Sequence, residues 1–292
     1  MTTNKPTIAL LGGGYTLTRL AHILPKSDFV FTARSNDKIA ALHRAGYFAK
    51  NVDTADRDSL NQLFSEYQHI HTLIDSVPPF SGDNPLLGIQ NTLAALPSSI
   101  SRIFYLSTTG VYGVTDGSWV TEETAPLPLN ESGTNRYQSE LLYAKAHPEV
   151  TCLRLSGIYG PGRGIGIRLQ NGSYTLLEDG TRWTNRIHVV DIINILRLGL
   201  AATTPLPPAL NISDNLPAPM HEVVEFYCNE FHFAFPQQVT IEKALAENRT
   251  RLLLNQRISN DLVRKTLNYD FRYPTYREGA NTEFERANSS AP

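Results

Sequence analysis

Three consecutive glycines stand where a short apolar run gives way to a helical pattern. Residues 7–11 are mainly apolar and lead into Gly12-Gly13-Gly14, after which apolar residues recur at helical spacing. Glycines permit a tight turn, and the free N–H groups of a helix start attract an anion. The segment fits G-x-G-x-x-G with Leu17 at the third glycine, so Gly12, Gly14, Tyr15 and Leu17 are predicted to bind a dinucleotide. A plain glycine turn is the alternative.

About twenty residues further on, the second predicted strand ends in Arg34 and Ser35. An Asp or Glu at this place typically binds the ribose 2′-hydroxyl of NAD. A guanidinium and a hydroxyl suit a 2′-phosphate instead, so NADP(H) is favoured over NAD(H). A solvated arginine before a helix is the alternative. Asp53 follows the third strand and could bind the adenine amino group or simply cap a turn.

The sequence predicts strands and helices that alternate along the first half of the chain and carry these residues. Strands are predicted at 7–11, 29–32, 47–49, 72–74, 103–106 and 150–155, with helices between them that end at Pro25 or lie at about 37–45, 59–67, 85–96 and 135–146. Right-handed crossovers place such helices on both faces of a parallel sheet. The pattern therefore predicts a doubly wound α/β fold of Rossmann type.

The second half of the chain is less regular. A glycine-rich loop at 156–164 leaves the sheet, and a helix at 190–200 with a strand at 209–212 could return to it. Beyond 219, a helix at 222–231, a strand at 238–241 and a helix at 260–267 are predicted, followed by a frayed polar tail of about ten residues. We predict a Rossmann domain from 1–160 with about 187–213, and a small mixed substrate lobe from about 161–186 with 214–292.

Composition narrows the class of protein. Of 292 residues, 41% are apolar and 18% charged, which excludes a disordered chain. Net charge is -2 without a long like-charge block, so neither nucleic acid nor an anionic membrane is a predicted partner. Cys152 and Cys228 are far apart, which argues against a disulfide framework and a thiolate metal site. The cysteine usage therefore predicts a cytoplasmic protein without a bound metal. No apolar run reaches the roughly 18 residues of a membrane span.

Several ordered motifs resemble the extended short-chain dehydrogenase/reductase superfamily, which includes sugar-nucleotide epimerases and dehydratases. They are LSTTGVYG at 106–113, EETAP at 122–126, LRLSGIYGPGR at 153–163, RIHVVD at 186–191 and NISD at 211–214. The resemblance implies a Rossmann domain with its cofactor at the carboxyl ends of the strands. It also implies a cleft for a small-molecule substrate against the C-terminal lobe.

The resemblance implies roles for individual residues. Thr108 matches the catalytic Ser/Thr that bonds the substrate oxygen near the nicotinamide, although a strand-end threonine could equally bond locally. Ser76 and Val77 would line the adenosine and ribose, and Ser156 and Ile158 would lie beside the nicotinamide. A further set falls where the family binds substrate, with packing or solvated side chains as the alternative: Tyr112, Arg163, Trp183, Arg186 and His188.

The catalytic Tyr-x-x-x-Lys of the family is missing. The segment 132–140 aligns best, with Ser132 at the tyrosine, Arg136 at the lysine and Glu140 at the glutamate that commonly follows. Losing a positioned proton donor typically costs about 10² to 10⁴ in rate, and an arginine cannot shuttle protons. The chain therefore resembles the atypical branch of the superfamily, and standard carbonyl reduction is not expected.

Two functions remain open from the sequence. The first is an NADP(H)-dependent oxidoreductase or epimerase-like enzyme that acts on a small polar or sugar-like substrate. Its substitute acid could be Tyr112, Tyr137, Tyr159 or His188, each of which could also be a packing residue. The second is an NADP(H)-binding regulator or scaffold without turnover. The resemblance also allows a homodimer through helices 85–96 and 135–146.

Overall fold

The computed structural model describes residues 5–285, and its strands are short. In chain order they are β1 (Ile8–Leu11), β2 (Phe29–Ala33), β3 (Phe48–Asn51), β4 (Thr72–Asp75), β5 (Arg102–Thr108), β6 (Trp119–Val120), β7 (Val150–Leu155), β8 (Gly157–Tyr159), β9 (Thr175–Leu177), β10 (Trp183–Thr184), β11 (Arg186–His188), β12 (Ala209–Ile212), β13 (Ala218–Pro219), β14 (Gln237–Val239) and β15 (Arg257–Ile258).

Helices connect most of these strands. They are α1 (Tyr15–Ile23), α2 (Asn36–Arg44), α3 (Arg57–Glu66), α4 (Leu87–Ala95), α5 (Glu131–Ala146), α6 (Ile165–Gln170), α7 (Val189–Ala201), α8 (Met220–Phe231), α9 (Ile241–Ala246), α10 (Asp261–Leu267) and α11 (Tyr276–Gly279). Short 3-10 turns lie at Thr109–Val111, Thr250–Leu253 and Ala280–Phe284.

The central sheet has seven parallel strands in the order β12-β7-β5-β4-β1-β2-β3. The order reverses between β1 and β4, and in doubly wound sheets ligands bind outside the carboxyl ends of the strands at such a point. This architecture confirms the predicted α/β Rossmann-type fold. The strand at 209–212 does return to the sheet, as its seventh strand.

Both faces of the sheet are buried, which is why its strands are continuous apolar runs. Neighbouring residues on one strand point to opposite faces: Leu10 packs with Phe31 in one apolar cluster, while Ala9 packs with Val30 in another. Every residue of β1, β2, β4 and β7 is buried. The core therefore lies in two layers between the sheet and its helices.

Several boundaries differ from the predictions for local reasons. Helix α5 begins four residues early because the Asn130 side chain accepts a hydrogen bond from the Gly133 N–H and caps the helix. The strand predicted at 238–241 ends at Val239, since Thr240 caps α9. The other two- and three-residue strands escaped prediction because long-range pairing alone defines them.

The later part of the chain builds a smaller body with its own apolar cluster. Its short strands pair as β8 with β11, β9 with β14, β6 with β15, and β10 with β13. Buried residues of this cluster include Tyr159, Leu169, Tyr227 and Tyr276. These residues fall on both sides of the proposed boundaries at 160 and 213, so the exact division into domain and lobe stays a prediction.

The frayed tail was predicted too early in the chain. Glu283 is fully buried in the last 3-10 turn, and the rest of the predicted tail, residues 286–292, lies outside the described residues.

Within residues 5–285, no helix is both long and apolar enough to cross a membrane. The same part of the chain contains no group of three or more His, Cys, Asp or Glu placed to hold a metal ion. Cys152 and Cys228 are free thiols.

A buried ion pair ties α5 to the sheet. The Arg154 guanidinium on β7 donates to Glu140 on α5, with 2.7 Å between Nη2 and Oε2, and both side chains are buried. Ser107 Oγ on β5 donates to the same carboxylate at 2.5 Å. Arg154 also donates to the Tyr112 hydroxyl at 2.9 Å, which donates in turn to Asn211 Oδ1 on β12 at 2.7 Å. One network thus spans three neighbouring strands and a helix.

Removing the carboxylate from this network should be costly. Glu140→Gln would leave the buried Arg154 charge without its counterion, so we expect the free energy of unfolding to fall by about 3–5 kcal/mol in urea denaturation. Glu66→Gln is the matched control, because Glu66 pairs with Lys50 at the exposed surface and should lose under about 1 kcal/mol. Equal, small losses in the two variants would contradict the central role of the pair.

Candidate functional site

The glycine turn is closely packed at Gly12 and uncrowded at Gly14. Gly12 has φ +94°, and a Cβ there would lie 2.7 Å from Ser76 Oγ, so the turn needs glycine. Gly14, the N-cap of α1, has nothing within 4 Å of a Cβ position and no side-chain cap. Leu17 is fully buried in the apolar core. The first turn of α1 thus begins at an uncrowded glycine without a side-chain cap, an arrangement that suits an anion.

Ser76 and Val77 meet this turn from the end of β4. Ser76 Oγ lies 3.1 Å from both the Leu11 and Gly12 carbonyl oxygens, to which it donates. The Val77 N–H donates to Asp75 Oδ1 at 2.7 Å. Two residues predicted to line the cofactor thus contact a third predicted position, Gly12.

Asp75 is a fully buried carboxylate directly below this contact. The Tyr143 hydroxyl donates to its Oδ2 at 2.5 Å. Burial raises the pKa of Asp75 to about 6, although the two hydrogen bonds and the Arg136 charge oppose the shift. The sequence predicts that Asp75 lines the adenosine and ribose only through its backbone, because burial of its side chain has no local sequence signal.

Cationic side chains gather at the ends of β1 and β2. Arg34 is exposed, while Ser35 caps α2 by accepting from the Lys38 N–H. Lys38 Nζ donates to the Gly13 carbonyl, and burial lowers its pKa. Lys38 was missed by the sequence reading, although it follows Arg34 by four residues in the first turn of a predicted helix. Asp53 accepts from the Ala55 N–H at 3.0 Å, as a turn aspartate does.

The residues aligned with the catalytic positions lie at the end of β5 and the start of α5. Thr108 Oγ1 accepts from the Gly110 N–H at 3.1 Å, so this hydroxyl bonds locally. Ser132 is the second residue of α5 and is exposed. A Cβ on Gly133 would lie 2.9 Å from the Gly110 carbonyl oxygen, so α5 begins in contact with the turn that follows Thr108.

Arg136 lies one helical turn beyond Ser132. Its Nη1 donates to the Leu106 carbonyl at 2.8 Å and to the Tyr105 hydroxyl at 3.1 Å. Its side chain is half-buried, and these two bonds leave its other N–H donors available. The alignment of Ser132 with the missing tyrosine needed Ser132 to be helical, which it is; its role in the site stays a prediction.

The glycine-rich loop 160–164 folds over the start of α1. The Tyr15 hydroxyl donates to the Pro161 carbonyl at 3.1 Å, and Arg19 Nη2 donates to the same oxygen at 3.0 Å. Both Arg19 and Arg163 face the Tyr15 ring, with guanidinium carbons 3.7 and 5.1 Å from its centre. Arg163 thus lies beside the first turn of α1. Arg19 lies there too, although the sequence analysis did not predict it.

The other predicted substrate residues lie in separate surroundings. Tyr112 is buried and its hydroxyl is used in the ion-pair network. Trp183 stacks on Arg257 at 5.1 Å. Arg186 is buried and donates to Thr184 Oγ1 at 2.7 Å. The structure therefore does not gather them into one exposed cluster.

Six buried side-chain atoms in residues 5–285 have no hydrogen-bond partner: Ser156 Oγ, Arg186 Nη1, Asn211 Nδ2, Asp214 Oδ2, Gln256 Oε1 and Tyr276 OH. Three of these side chains share one region, since Arg186 lies over the Tyr276 ring and its charge acts on Asp214. Buried polar groups are nearly always satisfied, by protein, by water or by ligand. This region therefore offers donors and acceptors to a polar molecule.

The Asp214 N–H donates to the Arg186 carbonyl at 2.7 Å, while Asp214 Oδ2 and Arg186 Nη1 both lack a hydrogen-bond partner. Burial raises the pKa of Asp214 to about 8, and the Arg186 charge opposes that shift. Arg186 also lies over the Tyr276 ring, 5.1 Å from its centre. Asp214 and Tyr276 were not predicted as site residues, because their burial depends on contacts with distant segments.

His188 is buried at the start of α7. Its Nδ1 accepts from the Val190 N–H, which places the ring proton on Nε2, 2.9 Å from Thr282 Oγ1. Burial lowers the pKa of His188 to about 4, helped by the charges of Arg19 and Arg272. The neutral ring therefore caps a helix and holds the C-terminal segment.

Comparison with known proteins agrees with this geometry. The model of a family described as "NAD dependent epimerase/dehydratase family" matches residues 10–213. Protein YeeZ of Escherichia coli (strain K12) is 31% identical over 185 residues. That stretch covers 62% of this chain and 62% of YeeZ, so it spans less than two thirds of that relative.

Solved structures with the same fold cover nearly the whole chain. A functionally unknown conserved protein from Silicibacter pomeroyi DSS is 28% identical, with a TM-score of 0.77 over 95% of this chain and 97% of its own. A UDP-glucuronic acid 4-epimerase from Bacillus cereus in complex with NAD has a TM-score of 0.76 at 17% identity, over 94% and 96% of the two chains. At that identity the likeness concerns the fold alone.

The depressed pKa of His188 makes a prediction for stability against pH. The unfolded histidine titrates near 6.5 and the folded one near 4, so the stability present above pH 6.5 should be lost as the pH falls towards 4, by about 3 kcal/mol in all. His188→Gln should remove this part of the slope in urea titrations at pH 7 and 4. The exposed His69 provides the control, since His69→Gln should run parallel to the wild type. A parallel curve for His188→Gln would refute the assignment.

Proposed function

The chain belongs to the NAD dependent epimerase/dehydratase family, and we propose that it binds NADP(H) in preference to NAD(H) as an atypical oxidoreductase or epimerase-like enzyme. Its substrate is a small polar or sugar-like molecule. The observation that carries the proposal is the glycine turn with the uncapped first turn of α1 at the point where the strand order reverses. Rossmann sites bind a pyrophosphate at such a turn.

The residues present fit the dinucleotide. The N–H groups of α1 would bind the pyrophosphate, and Arg34, Ser35 and Lys38 would surround the 2′-phosphate. Arg136 keeps free donors for the ribose hydroxyls. The remaining predicted contacts are Asp53, Ser76 and Val77 towards the adenosine, with Ser156 and Ile158 towards the nicotinamide. When bound, the nicotinamide supplies hydride transfer.

The six unpartnered polar atoms support a polar substrate. Hydroxyl groups both donate and accept, and Arg186 Nη1 offers a donor where Asp214 Oδ2 offers a second polar atom nearby. An apolar substrate would leave these atoms unsatisfied, at about 1–3 kcal/mol each. The chemistry of this region therefore favours a molecule with several hydroxyl or carbonyl groups.

The enzyme hypothesis requires a proton donor, for which the sequence offers four candidates. Tyr159 OH donates to the Thr275 carbonyl at 3.1 Å, and both ring nitrogens of His188 are engaged. Tyr137 packs in a small apolar cluster, and the Tyr112 hydroxyl is used in the ion-pair network. This occupation favours the second candidate, an NADP(H)-binding regulator without turnover. Native mass spectrometry separates the two, since a co-purified polar metabolite supports the enzyme and cofactor alone supports the regulator.

The preference for NADPH over NADH should depend on the cationic side chains near the ends of β1 and β2, Arg34 above all. We expect calorimetry to find tighter binding of NADPH than of NADH, and Arg34→Ala to weaken NADPH binding by at least about tenfold, typical of a charged hydrogen bond, while NADH binding changes little. Arg44→Ala is the matched control, an exposed arginine at the far end of α2. Equal affinities of the wild type for the two cofactors would remove the basis for the assignment.

The two residues aligned with Tyr-x-x-x-Lys should behave differently. Ser132→Ala should leave NADPH affinity nearly unchanged, because the exposed hydroxyl makes no contact that a dinucleotide needs. Arg136→Ala should weaken NADPH binding by about 1.5–3 kcal/mol, since charged donors to the ribose are lost. Fluorescence titration of NADPH measures both. Unchanged affinity in Arg136→Ala would place that guanidinium outside the cofactor site.

A further inference from the structure

The C-terminal segment 269–284 is bound tightly across the smaller body, and we call it the strap. Asp191, fully buried in the first turn of α7, accepts three hydrogen bonds from it. The donors are the Tyr269 hydroxyl at 2.5 Å and the N–H groups of Arg272 and Tyr273 at 2.7 and 3.2 Å. Three donors to one buried carboxylate compensate for its lost hydration. The start of the strap is therefore fixed to α7.

Two further side chains hold the middle of the strap. The His188 ring donates to Thr282 and stacks on Tyr273, with ring centres 3.8 Å apart. Tyr159 OH donates to the Thr275 carbonyl. A Cβ on Gly279 would lie 2.5 Å from the Tyr159 hydroxyl oxygen, so this contact is close along its length. The strap thus follows the β8–β11 pair.

Glu283 connects the end of the strap to the glycine-rich loop. Its carboxylate accepts from the Gly166 N–H at 2.7 Å and from the Tyr227 hydroxyl. Its backbone carbonyl accepts from the Gly162 N–H at 2.9 Å. A Cβ on Gly164 would collide with the carboxylate. Glu283 therefore holds the loop by its main chain and the start of α6 by its side chain.

The opposite side of the same loop contacts α1. The Pro161 carbonyl accepts from Tyr15 OH and Arg19 Nη2, and a Cβ on Gly160 would lie 3.1 Å from the Tyr15 hydroxyl. Tyr15 is the first residue of α1, next to Gly14. One short loop therefore separates the strap from the turn at which the dinucleotide is proposed to bind.

We propose that Glu283 is a positioning residue for dinucleotide binding. It fixes the loop 160–164 and the start of α6, and thereby holds the loop against Tyr15 and Arg19. The loop in turn holds the first turn of α1 in its binding geometry. This inference rests on the proposed function, since it presupposes a dinucleotide at α1. Coupling between two sites is reciprocal, so bound cofactor slows hydrogen exchange in the strap as well as in the loop.

The test compares two neighbouring glutamates with NADPH as the probe. Glu283→Gln keeps the shape but replaces one acceptor by a donor, so NADPH should dissociate about tenfold more readily and the 160–166 amides should exchange faster. Glu285→Gln, an exposed neighbour, should match the wild type in both measurements. A Glu283→Gln protein with faster loop exchange but wild-type NADPH affinity overturns the inference.

A double-mutant cycle tests the route through Tyr15. If the loop carries the effect, Glu283→Gln should weaken NADPH binding far less in a Tyr15→Phe background than in the wild type; additive effects overturn the route. If Glu283→Gln does not fold, Tyr159→Phe removes one strap anchor and should raise the Kd in the same direction, and an unchanged Kd overturns the inference. A wild type that binds neither NADPH nor NADH refutes the proposed function instead.

Discussion

The buried pair of Glu140 and Arg154 is the interaction on which the site depends most. Glu140 follows Arg136 by four residues, so both side chains leave the same face of α5. That face meets β5, where Arg136 donates to the Leu106 carbonyl and Glu140 accepts from Ser107. Since Arg154 holds Glu140 from β7, the rotation of α5 about its axis is fixed. The position of Arg136 beside Leu106, and of Gly133 against the Gly110 carbonyl, follows from this constraint.

A second constraint is the concentration of buried carboxylates beyond the carboxyl ends of the strands. Burial raises the pKa of Asp75 to about 6, of Glu283 to about 7 and of Asp214 to about 8. Each carboxylate lies beside a segment that the fold must hold in place: the end of β4, the glycine-rich loop and the end of β12. Strongly perturbed groups of this kind concentrate at functional sites, although structural networks perturb pKa values too.

Glu140, the glycine turn and the RIHVVD segment are present in the chain. The predicted alignment, in which Ser132 and Arg136 take the places of the family's tyrosine and lysine, would keep these supports and lose the acid. The retained parts serve architecture: Glu140 orients a helix, and His188 and Asp191 bind the strap. The proposed dinucleotide binding would need only these retained parts, and under the same alignment a catalysed reaction would need another proton donor.

The sequence by itself determined the doubly wound fold and the place of the glycine turn, because apolar runs, helical spacing and glycine content are local properties. It also placed Arg34 directly after the strand that pairs with β1. Only the tertiary structure decided that His188 and Tyr112 are buried with their polar atoms engaged, and that Lys38 and Arg19 reach the turn. It alone showed Glu283 buried against the glycine-rich loop. These features depend on contacts between segments up to 146 residues apart, as in the bond from Tyr15 to Pro161, and no local pattern records such contacts.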